Sequence, residues 1–333
     1  MAYEAAMNLE ELASFDVVHH QLTWPWIAFD SSGKRFAFAA SDRRIETRLL
    51  EEARIVDGPA FSLPSDLALA GVHGFSIDAR GALLALVGVV GSAGVVITSE
   101  AAGEVRRTPL EALVGAGFTA RATAFDRSGA RLWISAESEA ETALLLIDAA
   151  THAPIGIARS ASFPPPAMHE LYLHPQDDAV LLLAACGEDG TFARVAGWSG
   201  GGVEAIATAL DKGGIPAGFV GFSADFARLH LAEADELRTH AWPGLDELSS
   251  VELADDFVSS FAGVVLGQRI FVDGEEADSM EDGVMMFDAS ATRGSLLPPP
   301  VPTGMWAGRL GVDMIVTVES KGDPAYGRVV RIR

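Results

Sequence analysis

One stretch of this chain recurs, and the recurrence limits the fold more than any other feature. The stretch Ala124-Phe125-Asp126-Arg127-Ser128-Gly129-Ala130-Arg131-Leu132-Trp133-Ile134 has an earlier counterpart in Ala28-Phe29-Asp30-Ser31-Ser32-Gly33-Lys34-Arg35-Phe36-Ala37-Phe38. In both, an apolar run ends on an aromatic, a polar turn reaches glycine, and a second apolar run begins. With that aromatic as the reference position, the equivalents are Phe29, Ile77, Phe125, Leu173 and Phe222, at intervals of 48 or 49 residues. Seven residues further on come Phe36, Leu84, Leu132, Val180 and Leu229, and nine further on Phe38, Leu86, Ile134, Leu182 and Leu231. Three registers held over five copies indicate a repeat architecture. Within each copy the apolar spacing is two, as in Ile27/Phe29 and Phe75/Ile77, so the repeating elements are strands. The residue before the reference position is small in four copies (Ala28, Ser76, Ala124, Gly221), with Tyr172 as the exception. Small side chains suit strands crowded near the axis of a radial array. Gly33, Gly81 and Gly129 suit turns that need positive φ.

Each repeat offers four strand segments; in the third they are Thr119–Asp126, Arg131–Glu137, Ala143–Ala149 and Ile155–Ala161. The uncharged run from Ala82 to Ser99 is long enough to suggest a membrane helix. Gly88, Gly91 and Gly94 interrupt it, and its ends fall in the strand register, so it reads as a hairpin. After the fifth copy the register loosens. Val264-Val265 with Ile270-Phe271 marks a sixth copy, and Met305-Trp306 with Met314-Ile315-Val316 a seventh. Gly327 to Arg333 is then the third strand of a blade that lacks its outer one. The segment Ser14–Leu22 stands before the first full repeat and can supply it, which closes an otherwise unpaired edge. The expectation is an all-β, seven-bladed β-propeller whose last blade is closed by an N-terminal strand. Residues 1–13 are expected to be a tail and 14–333 one domain. The Pro-rich stretches Phe163-Pro164-Pro165-Pro166 and Pro298 to Pro302 fall at blade boundaries.

The repeat resembles those of WD40-like proteins. Ala-Phe-Asp-Arg-Ser-Gly-Ala-Arg-Leu is similar to their apolar–polar–glycine–apolar turn. Ile147-Asp148 and Phe287-Asp288 stand where such blades close the third strand with Trp-Asp. The resemblance implies a platform that binds other proteins.

Composition narrows the function further. The formal charge of −22 argues against nucleic acid, whose phosphates such a surface repels. Cys186 is the only cysteine, so no intrachain disulfide is expected. The N-terminus lacks the pattern of a signal peptide. The chain reads as cytoplasmic, with no membrane contact. No Gly-x-Ser-x-Gly, His-Glu-x-x-His or Walker-type motif occurs, and neither a cofactor nor a metal is expected.

Three groups of residues are candidates for binding a ligand or partner. Four residues before the reference position stand His73, Arg121 and His169, with Glu170 beside the last. Near an inner-strand entrance they could hold an anion or a partner's carboxylate, or simply bond backbone carbonyls. The second group is acidic. The region from Glu233 to Asp288 holds Arg238 and Arg269 as its only Lys or Arg residues. Within it, Asp273, Glu275, Glu276, Asp278, Glu281 and Asp282 are expected on a long inter-strand loop of blade six. That loop could capture a basic segment of another protein or serve solubility; its spacing does not fit an EF-hand. The third group is aromatic: Trp24, Trp26, Phe163, Phe219 and Trp306, read as exposed near connectors. They could form an interface or pack between blades. The leading expectation is a non-catalytic scaffold or regulatory subunit that binds a protein through its ring face or acidic surface. The alternative is a propeller hydrolase, lactonase or lyase with its site at the channel mouth, and a third reading is a carbohydrate binder.

Overall fold

A computed structural model describes residues 8–18, 27–101, 103–165, 167–209, 216–319 and 325–333. The chain is an all-β, seven-bladed β-propeller built of seven four-stranded sheets. The first strand, β1 (Leu9–Val17), belongs to the last sheet. Blade one is β2 (Ile27–Phe29), β3 (Arg35–Ser41), β4 (Arg44–Glu51) and β5 (Arg54–Ser62). Blade two is β6 (Val72–Ile77), β7 (Leu83–Val90), β8 (Ala93–Glu100) and β9 (Val105–Pro109). Blade three is β10 (Thr119–Phe125), β11 (Arg131–Glu137), β12 (Glu141–Asp148) and β13 (Pro154–Ala161). Blade four is β14 (Met168–Leu173), β15 (Ala179–Ala185), β16 (Thr191–Trp198) and β17 (Val203–Ala209). Blade five is β18 (Gly218–Phe222), β19 (Arg228–Ala232), β20 (Glu236–Ala241) and β21 (Glu247–Glu252). Blade six is β22 (Phe257–Leu266), β23 (Arg269–Glu276), β24 (Asp282–Asp288) and β25 (Gly294–Leu296). Blade seven is β26 (Met305–Leu310), β27 (Met314–Glu319) and β28 (Ala325–Ile332), completed by β1. Contacts group the chain into two compact units. One holds residues 26–187 and 192–211, and the other residues 1–25, 188–191 and 212–333.

The closing strand runs from Leu9, not from Ser14, so residues 9–13, expected in the tail, are part of it. Its side chains alternate from Ser14 to Val17, and Phe15 and Val17 are buried against β28. The uncharged run read as a hairpin is one: β7 pairs with β8 from Leu83↔Glu100 to Val90↔Ala93.

The repeat registers are cross-strand partners. Phe29 lies opposite Phe36, Ile77 opposite Leu84, Phe125 opposite Leu132 and Leu173 opposite Val180. In blades one to four the residue two before the reference position faces the one nine after it, as in Phe75↔Leu86 and Leu171↔Leu182, whereas in blade five the bulge puts Phe219 opposite Leu231. Phe36, Leu84, Leu132, Val180 and Leu229 are essentially inaccessible to solvent. Copies one, two and four thus supply two adjacent cross-strand apolar pairs, and in copy three Thr123 stands opposite Ile134 in one of them.

The residue after the reference position does a second job that recurs with changing chemistry. Asp30 accepts the backbone N–H groups of Lys34 and Arg35 at 3.0 and 2.9 Å. Asp78 accepts those of Ala82 and Leu83 at 2.7 and 2.8 Å, and Asp126 that of Arg131 at 3.0 Å. In blade four, Nδ1 of His174 takes the N–H of Asp177 at 2.9 Å; in blade five, Oγ of Ser223 takes that of Arg228 at 3.1 Å. All five acceptors are buried, and each pairs turn N–H groups that the strands leave without a partner.

Bulges mark both sides of the blades. Register shifts break β1, β5, β13, β17 and β21, the outer strands of blades seven, one, three, four and five. The outer strand of blade two is regular but carries Arg106 and Arg107 and ends on Pro109, and that of blade six has three residues. Each device blunts an exposed edge. The inner strands β6, β10, β18, β22 and β26 are bulged as well.

Replacing Asp78 by Ala leaves the part-buried N–H groups of Ala82 and Leu83 without their carboxylate acceptor. Urea denaturation is expected to show a loss of about 1–3 kcal/mol, with Asp78→Asn less affected than Asp78→Ala.

Candidate functional site

The acidic segment of blade six differs from the long loop expected of it. Asp273 to Glu276 are the end of β23, and Asp282 starts β24, so only residues 277–281 form the turn. A run of Asp, Glu and Gly reads as loop by composition, yet here cross-strand pairing continues from Asp273↔Val284 to Glu275↔Asp282. Gly274 is required there, because a Cβ would lie 2.2 Å from the carbonyl oxygen of Val258.

Burial divides the six acidic candidates. Asp273 is buried, at 4% exposure. Its carboxylate accepts from the Ser260 hydroxyl at 2.7 Å and from the Trp306 backbone N–H at 3.3 Å, tying blade six to blade seven. Burial raises its pKa to about 7, and the nearby Asp282 adds to the rise. Asp273 is therefore a structural group beneath the surface. Asp282 is half-buried and accepts the N–H of Gly304 at 3.3 Å.

Glu275, Asp278 and Glu281 are exposed and Glu276 half-exposed, and none of the four has an ion-pair partner among the described residues. Two exposed apolar side chains stand with them. Met280, at the tip, is 71% exposed, and Val258, opposite Glu275, is 49% exposed. The sequence reading missed both, since a single Met or Val in a strand pattern carries no sign of exposure. It also counted Glu233, Glu236 and Glu247 with the acidic surface. These three converge on the Arg238 guanidinium at 2.7, 2.8 and 2.8 Å and are offset by it. The exposed carboxylates that remain include those of the hairpin tip together with Asp235, Asp246, Glu252, Asp255 and Asp256.

In the other unit, His73 and Arg121 are themselves the extra residues of the inner-strand bulges in blades two and three. A bulge redirects its side chain. Nδ1 of His73 donates to the Ala120 carbonyl of the neighbouring blade at 2.7 Å. Arg121 pairs with Glu137 at 3.2 Å. His169, at the same repeat position on an unbulged strand, shares a hydrogen bond with the Ser135 hydroxyl at 3.2 Å and stacks edge-on against Phe163. Burial, with Arg121 and Arg194 nearby, pushes its pKa down to about 3, so it adds no positive charge at neutral pH. The bonds of His73 and His169 run between blades, and they give these residues a structural task. Glu170 follows on the opposite face of β14, exposed, and accepts the Tyr172 hydroxyl at 2.8 Å.

The described members of the aromatic group, Phe163, Phe219 and Trp306, do not form an exposed platform. Trp306 and Phe163 are buried at 3% each, and Phe219 packs against Phe222. Arg194 lies 3.8 Å over the Phe163 ring, and Trp306 packs beside Phe271. Trp24 and Trp26 lie outside the described residues. Among the described residues no three His, Cys, Asp or Glu side chains are grouped as a metal site, and no helix is long and apolar enough to cross a membrane.

The fold has solved counterparts. The crystal structure of the RRP9 WD40 repeats is similar over 98% of this chain and 100% of that one, with a TM-score of 0.59 at 12% identity. A structure of the Nidogen/Laminin complex aligns with 79% of this chain and 92% of its own, with a TM-score of 0.42 at 14% identity. No family model and no curated protein matches the sequence. At 12% identity the likeness to the RRP9 repeats is one of fold: a WD40-type propeller.

The raised pKa of Asp273 sets a pH dependence. An acid held protonated by the fold stabilises it fully below the unfolded value near 4 and loses that contribution as pH rises towards the folded value near 7. Between those limits, the stability of wild type relative to Asp273→Asn is expected to fall with pH. Urea melts at several pH values measure it, and a constant difference would refute the assignment.

Proposed function

We propose that this propeller is a non-catalytic platform whose acidic hairpin on blade six binds a basic, partly apolar segment of another protein. The observation that supports this is the tip itself. Among the described residues Glu275, Glu276, Asp278 and Glu281 have no cationic partner, and Met280 and Val258 offer apolar surface beside them. Unpaired carboxylates attract Lys and Arg side chains over a Debye length of roughly 10 Å at ordinary ionic strength. Exposed Met is adaptable contact surface once the partner arrives. WD40-type propellers commonly serve as interaction scaffolds, an analogy of fold that leaves the partner to be identified by experiment.

The regular backbone of the hairpin supports the reading as well. Gly274 faces Gly283 across the pair, and the Met280 N–H bonds the Glu276 carbonyl at 2.8 Å to close the turn. A tip shaped by its own hydrogen bonds loses less entropy on binding than a long loop would.

Affinity capture with the full chain tests the proposal. A stoichiometric protein partner is expected to bind at low salt and elute at high salt. The Asp278→Asn, Glu281→Gln double variant is expected to bind it about tenfold or more weakly, through the loss of two charge-assisted contacts. Capture that is unchanged in this variant and insensitive to salt would contradict the proposal.

A further inference from the structure

The outer rims of blades three and four carry a cleft that closure of the ring does not require, and it lies within one of the two compact units. The outer strands β13 and β17 meet where Gly156 lies against Val203: a Cβ on Gly156 would fall 2.8 Å from the Val203 nitrogen. Further along, Arg194 on β16 crosses to blade three. It donates to the Ser160 hydroxyl and, at 2.7 Å, to the Ala161 carbonyl. Between these two contacts the facing side chains are small, with Ala158 on β13 and Ala205 and Ala207 on β17. The bulge of β17 takes Ile206 out of the ladder, so Ala205 and Ala207 pair with Ala196 and Val195 and both line the cleft. The cavity measures about 40 Å³, room for roughly three water molecules.

The lining runs from exposed residues, Arg159, Ala205 and Thr208, to buried ones, Thr142, Leu144 and Ala196. Its polar groups are not matched to one another. Thr142 is 1% exposed, and its hydroxyl has no hydrogen-bond partner among the described residues, an uncommon state for a buried polar group. Arg194 has no carboxylate partner among them either. Its Nε is buried and unbonded, and its guanidinium rests 3.8 Å over the Phe163 ring. Burial lowers its pKa, as expected of a cation without a counter-ion. The acids of the packed strands are engaged elsewhere. Glu137 pairs with Arg121 at 3.2 Å, Glu141 with Arg159 at 2.7 Å, and Asp148 accepts the Thr151 N–H at 2.8 Å. Glu204, the one acid of β17, does not line the cleft. The cleft thus holds one uncompensated positive charge and one free hydroxyl donor.

We propose that this cleft is a binding site for a carboxylate group, brought either by a free short-chain carboxylic acid or by an Asp or Glu side chain of another protein. The carboxylate accepts from the remaining N–H groups of Arg194, which supply the charge, and from the Thr142 hydroxyl. Its methyl or methylene stem lies among Ala158, Ala205 and Ala207. The volume limits the bound group to about the size of acetate. The cleft and the acidic hairpin of blade six belong to different units, and this site stands whether or not the hairpin binds a partner.

Magnetic resonance of the full chain, labelled in arginine side chains and alanine methyls, tests it by titration with sodium acetate, acetamide and a blocked Ala-Glu-Ala tripeptide. Sodium chloride at equal ionic strength is the control. Acetate is expected to shift the Arg194 Nε–H and the Ala158 and Ala205 methyl signals saturably. Acetamide, alike in shape but uncharged, and chloride are expected not to. Thr142→Val is expected to be at least as stable to urea as wild type, since the hydroxyl it removes is unbonded, yet to bind acetate about threefold to tenfold more weakly. A purely structural Thr142 would change stability and leave affinity alone. Arg194→Met is expected to weaken acetate by about tenfold or more, the worth of a charge-assisted hydrogen bond. The wild-type shifts cover the case of a variant that does not fold. A tripeptide that binds as tightly as acetate or more tightly identifies a protein side chain as the source; one that binds more weakly identifies a free acid. Shifts with acetamide or chloride equal to those with acetate, no saturable shift with either carboxylate, or unchanged acetate affinity in a folded Thr142→Val or Arg194→Met would overturn the proposal.

Discussion

The pairing of β1 with β28 is the interaction on which the last blade depends. It joins Leu9 to Ile332 and Val17 to Ala325, near opposite ends of the chain. Without it β28 would present a row of unsatisfied N–H and C=O groups, a template for aggregation. Side chains on both strands are shaped for the contact. Gly327 leaves room for the Phe15 ring, where a Cβ would come within 2.4 Å. Arg331 reaches from β28 to Glu10 on one side at 3.0 Å and to Asp313 on the other at 3.3 Å. Main-chain pairing, ring packing and ion pairing therefore agree on a single register, and such agreement across levels is what specifies one structure.

Inside the blades the repeat does the equivalent work with fewer residues. A copy such as the second provides two cross-strand apolar pairs, Phe75↔Leu86 and Ile77↔Leu84, and one buried acceptor for the turn, Asp78. The apolar pairs were legible in the sequence because burial admits few residue types and strand geometry fixes their spacing. The acceptor was not, because Asp78, His174 and Ser223 perform one task with three chemistries. Inner-strand bulges were equally hidden. His73 and Arg121 drew notice as charged residues at a shared repeat position, but the extra residue that places them there leaves no compositional trace.

The candidate site was legible in outline and misread in detail. Acidic composition pointed to blade six, yet it spread the surface over Glu233, Glu236 and Glu247, which Arg238 gathers in, and over Asp273, which is buried. Charge is visible in a sequence, whereas pairing and burial are properties of three dimensions. Trp306 shows the same limit from the apolar side. A tryptophan beside a Pro-rich connector looked exposed, but it fills the space beside Phe271, and its backbone serves Asp273. What stands out for function is the acidic hairpin tip with its two exposed apolar side chains.

Hydrogen exchange on a chain lacking residues 1–17 tests the closing role of β1 most directly. The account predicts that amide protection falls first and furthest in β28, then in β27, while blades two and three stay as in the full chain. Protection of β28 that survives the deletion unchanged would show that the blade does not need its N-terminal strand, and would contradict the closure described here.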